Sequence, residues 1–299
     1  MTEIRMLIDR MPEGRNPASP IVNFRGVNFS DGSMEAKVLS LEDKPEANAG
    51  CLGRIPISRG RDIGYTQINA TSWVYGVIVG KALLDYDRHP EGFEPRFLEA
   101  WTEYQRWLRG QSVADVLGLD RKSKLHRLPS WSVVMPWFER SPSEVKKWLP
   151  RRVVHNRQKH GYRFTVGMSG KKIMNRDSLE AGPSHSRQFR GLIESFLEHG
   201  FMDQCNSNDP FKVWILESES DWHWMLVSGT HRLTTAVAMG LEYVHAELEG
   251  TICREDVETW PGVVKGDFSV TEALHVFDSL TRASMQSNTK LMLDSLGRL

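Results

Sequence analysis

Met225-Leu226-Val227-Ser228-Gly229-Thr230-His231-Arg232-Leu233-Thr234-Thr235-Ala236-Val237-Ala238-Met239-Gly240 is the stretch on which the reading of this chain turns. An apolar run ends in a glycine-containing turn, and a helical pattern begins at once. The pattern predicts a strand over Trp222–Val227 and a short helix to Met239, closed by Gly240. Leu233, Ala236 and Val237 mark the inward face of that helix. A helix start leaves backbone N–H groups without partners and carries the positive end of the dipole, which suits a phosphate. Gly229 allows the backbone to come close, and Ser228 and Thr230 add hydroxyl donors. His231 and Arg232 add charge-assisted donors, and arginine can grip two phosphate oxygens at once. A strand–turn–helix unit with one glycine also serves as a plain connector, so the pattern alone does not establish a ligand.

Outward from this stretch the elements alternate. Gln188–His199 carries Phe189, Leu192, Ile193, Phe196 and Leu197 on one helical face and ends at Gly200. Phe211–Leu216 and Val244–Leu248 read as strands. Ser269 and Glu272 form a capping box for a helix through Leu280. The first half differs. Thr71–Asp87, Glu94–Arg109 and Ser112–Leu117 read as helices, and Ser141-Pro142-Ser143-Glu144 opens another that stops at Pro150. Gly53–Gly64 reads as a basic, glycine-bearing loop without Walker spacing. The expected fold is α+β or α/β: a mainly helical N-terminal region followed by a small mixed α/β domain. The expected divisions are an irregular arm over 1–60, a helical region over 61–150, the α/β domain over 151–265 and a helical extension over 266–299.

The bulk numbers fit a globular protein. The chain has 299 residues, 40% of them hydrophobic and 25% charged, long enough to bury a core without disulfides. Cys51, Cys205 and Cys253 are far apart, which argues against a cysteine-rich zinc site or a disulfide framework. Residues 1–20 hold no apolar core of a secretory signal, and the most apolar stretch, Trp73–Leu84, is too short to span a bilayer. A cytoplasmic protein without membrane partners is expected. Ten tryptophans are many; core anchoring is the expected use, with base stacking as the alternative.

Lys plus Arg number 38 and Asp plus Glu number 38, so the formal net charge is zero. That neutrality hides a segregation. Arg121–Arg176 holds fifteen basic and two acidic residues, whereas Asp177–Asp278 holds six basic and eighteen acidic ones. A basic block of this size suggests an anionic partner, either nucleotide or nucleic acid. Mutual neutralisation of the two blocks is the competing explanation.

Ser228-Gly229-Thr230-His231-Arg232, followed by an alanine-containing helix and Gly240, resembles the "G-x-H-R … A … LG" box of the ParB/sulfiredoxin fold. Ser186–Phe201 is similar to the helix that precedes the first core strand there, and Tyr243–Leu248 to the short strand after the box. The resemblance covers roughly residues 150–265. It implies a small α/β domain whose helix-start loop holds nucleotide phosphates, in a family of CTP-binding partitioning proteins, sulfinic acid reductases, free-serine kinases and proposed nucleases. By resemblance, Gly229, Thr230, His231 and Arg232 cradle phosphates, with Ser228 beside them and Arg187 or Arg190 at the preceding helix start. Sulfiredoxin's nucleophilic cysteine is Thr230 here, which speaks against sulfinic acid reduction. The helix-turn-helix and second phosphate motif of partitioning proteins are not found after Gly240. Family kinases activate the acceptor hydroxyl with a carboxylate. Asp177, Glu180 and Glu194 are the candidates, no spacing singles one out, and Glu180 is named with His231 as the expected catalytic pair.

Other patterns carry less. His155 and His160 lack a metal-ligand spacing, and Asp203–Asp209 lacks the terminal glutamate of a calcium loop. Gly167-Met168-Ser169-Gly170-Lys171-Lys172 is a basic loop first and a phosphate loop second, with Lys171 the candidate ligand. His223 and His245 lie in expected strands, where a structural role is the better reading. The resulting expectation is an enzyme that binds ATP or CTP, with Mg²⁺ carried by the nucleotide, and transfers a phosphoryl group to a hydroxyl. The alternatives are a DNA-binding protein or nuclease using 121–176, and a noncatalytic nucleotide sensor.

Overall fold

A computed structural model describes residues 52–62, 65–147, 182–200, 211–285 and 287–298. The strands are β1 (Leu52–Pro56), β2 (Gly60–Asp62), β3 (Thr66–Gln67), β4 (Phe211–Ser218), β5 (Asp221–Ser228) and β6 (Tyr243–Cys253). The helices are α1 (Val74–Ala82), α2 (Phe93–Arg109), α3 (Val113–Val116), α4 (Gly182–His199), α5 (Thr230–Ala238), α6 (Pro261–Val264), α7 (Val270–Thr281) and α8 (Ser287–Arg298). Residues 142–147 are also helical.

The fold is mixed α/β around one sheet in the order β1-β6-β4-β5-β2-β3. β4 pairs antiparallel with β5 and parallel with β6, while β5 pairs parallel with β2. The sheet therefore draws strands from residues 52–67 as well as 211–253. Gly53–Gly64, expected as a loop, supplies β1, a 3-10 turn and β2 over its described part. The reason is long-range pairing: Leu52–Pro56 lies against Tyr243–Glu247, and Ile55 and Ile57 drop into the core. A window read alone contains too few apolar residues to reveal this.

Strand periodicity sorts the layers. Phe211, Val213 and Ile215 of β4, Trp222 and Trp224 of β5, and Val244, Ala246 and Leu248 of β6 share a core with Leu233, Ala236 and Val237 of α5. Leu216 and Met225 face the other side, toward Trp137, Trp260 and α7 residues Ala273, Val276, Phe277 and Leu280. Opposite Val213 and Trp214, β6 holds one extra residue between Leu248 and Gly250. That bulge reverses the alternation, which is why Ile252 joins the second core. A third core, from α1, α2, α4 and α8, packs against the outer side of α5 through Ala238. Covered on two sides, α5 is buried from Leu233 to Ala238.

The capping boxes behave as their chemistry requires. Ser112 with Asp115, Ser141 with Glu144 and Ser269 with Glu272 each exchange reciprocal bonds between side chain and backbone. Trp73, Trp101, Trp137, Trp222, Trp224 and Trp260 are all buried, in keeping with core anchoring. No helix among the described residues is long and apolar enough to cross a membrane.

Candidate functional site

β5 ends at Ser228, Gly229 turns the chain, and α5 begins at Thr230. Gly229 has φ +97°, a left-handed conformation that costs a side-chain-bearing residue energy. Space is also short there: a Cβ at Gly229 would lie 2.6 Å from Phe211 Cδ1. Both facts follow from topology. β4 runs antiparallel beside β5, so its first residue, Phe211, sits next to the last of β5, with Lys212 opposite Ser228.

α5 starts on this glycine without a side-chain cap, unlike α3 and α7 with their capping boxes. Its first intrahelical bond, Leu233 N–H to Gly229 O, is 3.0 Å. The first-turn N–H groups therefore point at the turn together with the dipole. Deeper in the helix, Thr234 Oγ1 donates to Thr230 O at 2.7 Å and Thr235 Oγ1 to His231 O at 3.0 Å. Those bonds satisfy hydroxyls that are buried beneath the sheet-facing and helix-facing layers.

Arg232 folds back over the turn. Its guanidinium carbon is 5.1 Å from the centre of the Phe211 ring, a cation–π distance. Its Nη2 lies 3.4 Å from where a Gly229 Cβ would be. Lys212, on the neighbouring strand, is held by Glu249 at 2.8 Å and Glu247 at 3.0 Å, and hydrogen bonds to these two carboxylates raise its pKa.

His231 points toward α4. Its Nε2 is 2.7 Å from His185 Nδ1, and the ring centres are 5.0 Å apart. Phe189 lies 4.8 Å from the His231 ring, and Trp101 of α2 lies 4.9 Å from the His185 ring. His185 and Phe189 are four apart, so both occupy the α4 face that meets α5.

Of the expected phosphate ligands, the structure brings Ser228, Gly229, Thr230, His231 and Arg232 together at one turn. Arg187 is exposed and sits two positions beyond His185, about 200° around the helix, on the far side from α5. Arg190 pairs with Glu194 at 2.8 Å, and Glu194 also accepts from Tyr86 at 3.4 Å. Glu194 is nine residues along α4 from His185, about 13 Å down the axis, so it is not at the turn. Asp177, Glu180, Lys171 and the loop Gly167–Lys172 lie outside the described residues, as does Asp203–Asp209. Among the described residues no group of three or more His, Cys, Asp or Glu could hold a metal ion.

Two residues of the site escaped the sequence reading. In the sequence Phe211 is simply the first residue of an expected strand, and His185 lies beside arginines that are the more obvious phosphate ligands. The i,i+4 spacing to Phe189 is the signal that could have singled out His185.

His223 is a buried histidine on the second core's side of the sheet, away from this turn. His223 is 8% exposed, and its pKa is pushed down to about 4, chiefly by burial and further by Arg61 and Arg59, against the pull of Asp221. Arg61 is buried beside it, donating to the carbonyls of Thr281, Ser58 and Gly60 at 3.0 Å each. It thereby ties β2 to the C-terminal end of α7.

Within the described part of the basic block, Arg121, Lys122 and Arg127 are exposed. Lys124 donates to the carbonyl of Gly266, and Lys265 lies 4.0 Å from both Glu139 and Glu144. The two blocks thus meet locally. No family model matches the chain, and no curated protein or solved structure matches it.

Proposed function

We propose that this protein binds a nucleotide through the turn between β5 and α5 and uses it for phosphoryl transfer to a hydroxyl. The observation that carries the reading is the start of α5, which lacks a side-chain cap, opens on a left-handed glycine and has the Arg232 guanidinium folded back over it. Backbone donors, the dipole and a fork-shaped cation converge there, a donor set suited to phosphate oxygens. The similarity of Ser228–Arg232 and Gly240 to the ParB/sulfiredoxin box supports the same reading.

ATP or CTP is the expected ligand, with Mg²⁺ held mainly by its phosphates, as magnesium commonly is. The donor set fits such a ligand: Arg232 and the first-turn N–H groups would hold the phosphates and offset their charge. Phosphoryl transfer depends mainly on positioning and electrostatics, which is what these groups supply. His231 is the proton-handling group at the turn, and Glu180 is the carboxylate assigned to the acceptor hydroxyl.

Calorimetric titration with ATP, CTP and ADP tests the reading. Wild-type protein is expected to bind at least one of them, and Arg232→Ala to weaken that binding about tenfold or more. Absence of binding to all three, with Arg232→Ala changing nothing, would overturn it. Binding without turnover of any hydroxyl acceptor would leave a nucleotide sensor. Strongly salt-dependent binding to DNA instead would favour the basic block as a nucleic-acid surface.

A further inference from the structure

We propose that His185 is a positioning residue for His231, the two sharing a single proton between His185 Nδ1 and His231 Nε2. The proposal deepens the phosphate reading, on which it rests only for what His231 acts upon.

The facing nitrogens are 2.7 Å apart, hydrogen-bond distance, and only one hydrogen fits between them. A neutral imidazole has one protonated and one bare nitrogen, so whichever ring donates dictates the tautomer of the other. A proton on both facing nitrogens breaks the contact. The bonded couple therefore carries either no charge or one, never two.

Aromatic rings hold this arrangement from both ends. Trp101 lies 4.9 Å from His185, and Phe189 lies 4.8 Å from His231. The ring contacts run from Trp101 on α2 to His185 on α4, to His231 on α5 and back to Phe189 on α4, which limits rotation of either imidazole. Charged groups on these elements include Arg232 on α5, Arg187 on the outer face of α4, the Arg190–Glu194 pair further along α4, and Glu99 and Glu103 on α2. His185 is thus a side chain placed to fix His231 by a directed bond. Its role is to select one tautomer and one ring orientation at the turn where Arg232 and the helix N–H groups converge. A histidine left to interconvert between tautomers presents the required nitrogen only part of the time, which lowers its effectiveness toward a bound anion or acceptor.

The test uses the full chain with ¹⁵N-labelled histidine. Long-range proton–nitrogen spectra would be recorded for wild type, His185→Phe and His185→Asn, alongside calorimetry with tripolyphosphate. Phenylalanine keeps a ring against Trp101 but removes the nitrogen. Asparagine keeps a hydrogen-bonding atom near the place of Nδ1. In wild type, one protonated and one bare nitrogen are expected across the contact. In His185→Phe, the His231 nitrogens are expected to move toward tautomer-averaged values and tripolyphosphate affinity to fall about fivefold. In His185→Asn, both are expected to return most of the way.

Unchanged His231 shifts in a folded His185→Phe would overturn the proposal, as would tautomer-averaged shifts in wild type. If His185→Phe fails to fold, the wild-type and His185→Asn spectra carry the same decision. If the shifts change as expected but no variant binds tripolyphosphate or nucleotide, the couple stands and the phosphate reading fails.

Discussion

The guanidinium of Arg232 lies over the ring of Phe211, with 5.1 Å between its carbon and the ring centre. The contact fixes a flexible cation over the turn before any ligand arrives, so less rotamer entropy is lost on binding. Arg232→Ala is expected to weaken nucleotide binding by about 1.5–3 kcal/mol, the worth of a hydrogen bond to a charged group. Arg232→Lys should recover little of this, since lysine has no planar fork. Phe211→Leu keeps an apolar residue and removes the π face, so a loss of about 0.5–1 kcal/mol is expected. Calorimetric affinities of the three variants check the order.

Gly229→Ala combines two penalties. The backbone stays at φ +97°, and the new methyl meets Phe211 at 2.6 Å. Left-handed strain and overpacking together should cost about 2–4 kcal/mol. Urea unfolding is the measurement: the midpoint should fall while the slope is unchanged. A midpoint within error of wild type would mean the turn can relax, and that Gly229 is not required by its geometry.

His223 makes stability depend on acid. Burial lowers its folded-state pKa to about 4, below the 6.5 of an unfolded histidine. Between these values the unfolded chain binds the extra proton, so stability is full above about pH 6.5 and falls as pH drops toward 4. Asp221, its neighbour, has a lowered pKa too, opposed by burial and favoured by its bond from Arg59, so its contribution is also lost toward acid. The histidine's share is on the order of 2–3 kcal/mol. His223→Phe is expected to flatten the pH dependence of the unfolding midpoint in that window. An equally steep curve in the variant would assign the acid sensitivity elsewhere.

Trp224 joins the two parts of the sheet. Its Nε1 donates to Pro56 O at 2.8 Å, and its ring fills the space a Cβ on Gly60 would need, 2.6 Å away. Trp224→Phe removes that bond and leaves a gap, for an expected loss of about 2–4 kcal/mol by thermal or urea unfolding. A fragment of residues 151–299 lacks β1, β2 and β3 altogether. It is expected to fail to fold, because β5 and β6 would expose strand edges and the Trp224 ring would lose its cover. A fragment with a cooperative unfolding transition would show that these residues form an independent unit.

The local pattern was legible where its causes are local. Ser269 with Glu272 and Ser141 with Glu144 announced helix starts because the bonds they make span only three residues. Leu233, Ala236 and Val237 mark the sheet-facing side of α5 because helical geometry alone sets that spacing, while its second buried side is set by α4 and its neighbours. Gly229 was marked as a turn for the same reason. Gly53–Gly64 misled because its strand character comes from partners near residues 222–247, and a window carries no trace of a pairing that distant. Arg187 and Glu194 are close to His185 in sequence but are carried away from it by the helix. Two positions along a helix turn a side chain about 200° away, and nine carry it about 13 Å down the axis.

From the sequence alone came the strand–turn–helix at Ser228–Thr230, the donors placed on it and the segregation of charge hidden in a neutral total. These depend on residue type and short spacing, which chain connectivity preserves. The tertiary structure alone decided that Phe211 lies beneath Arg232, that His185 meets His231, and that residues 52–67 complete the sheet. Each of those contacts joins residues far apart in the chain. They exist because burying apolar surface on both sides of β4 and β5 leaves few ways to arrange the elements that cover it.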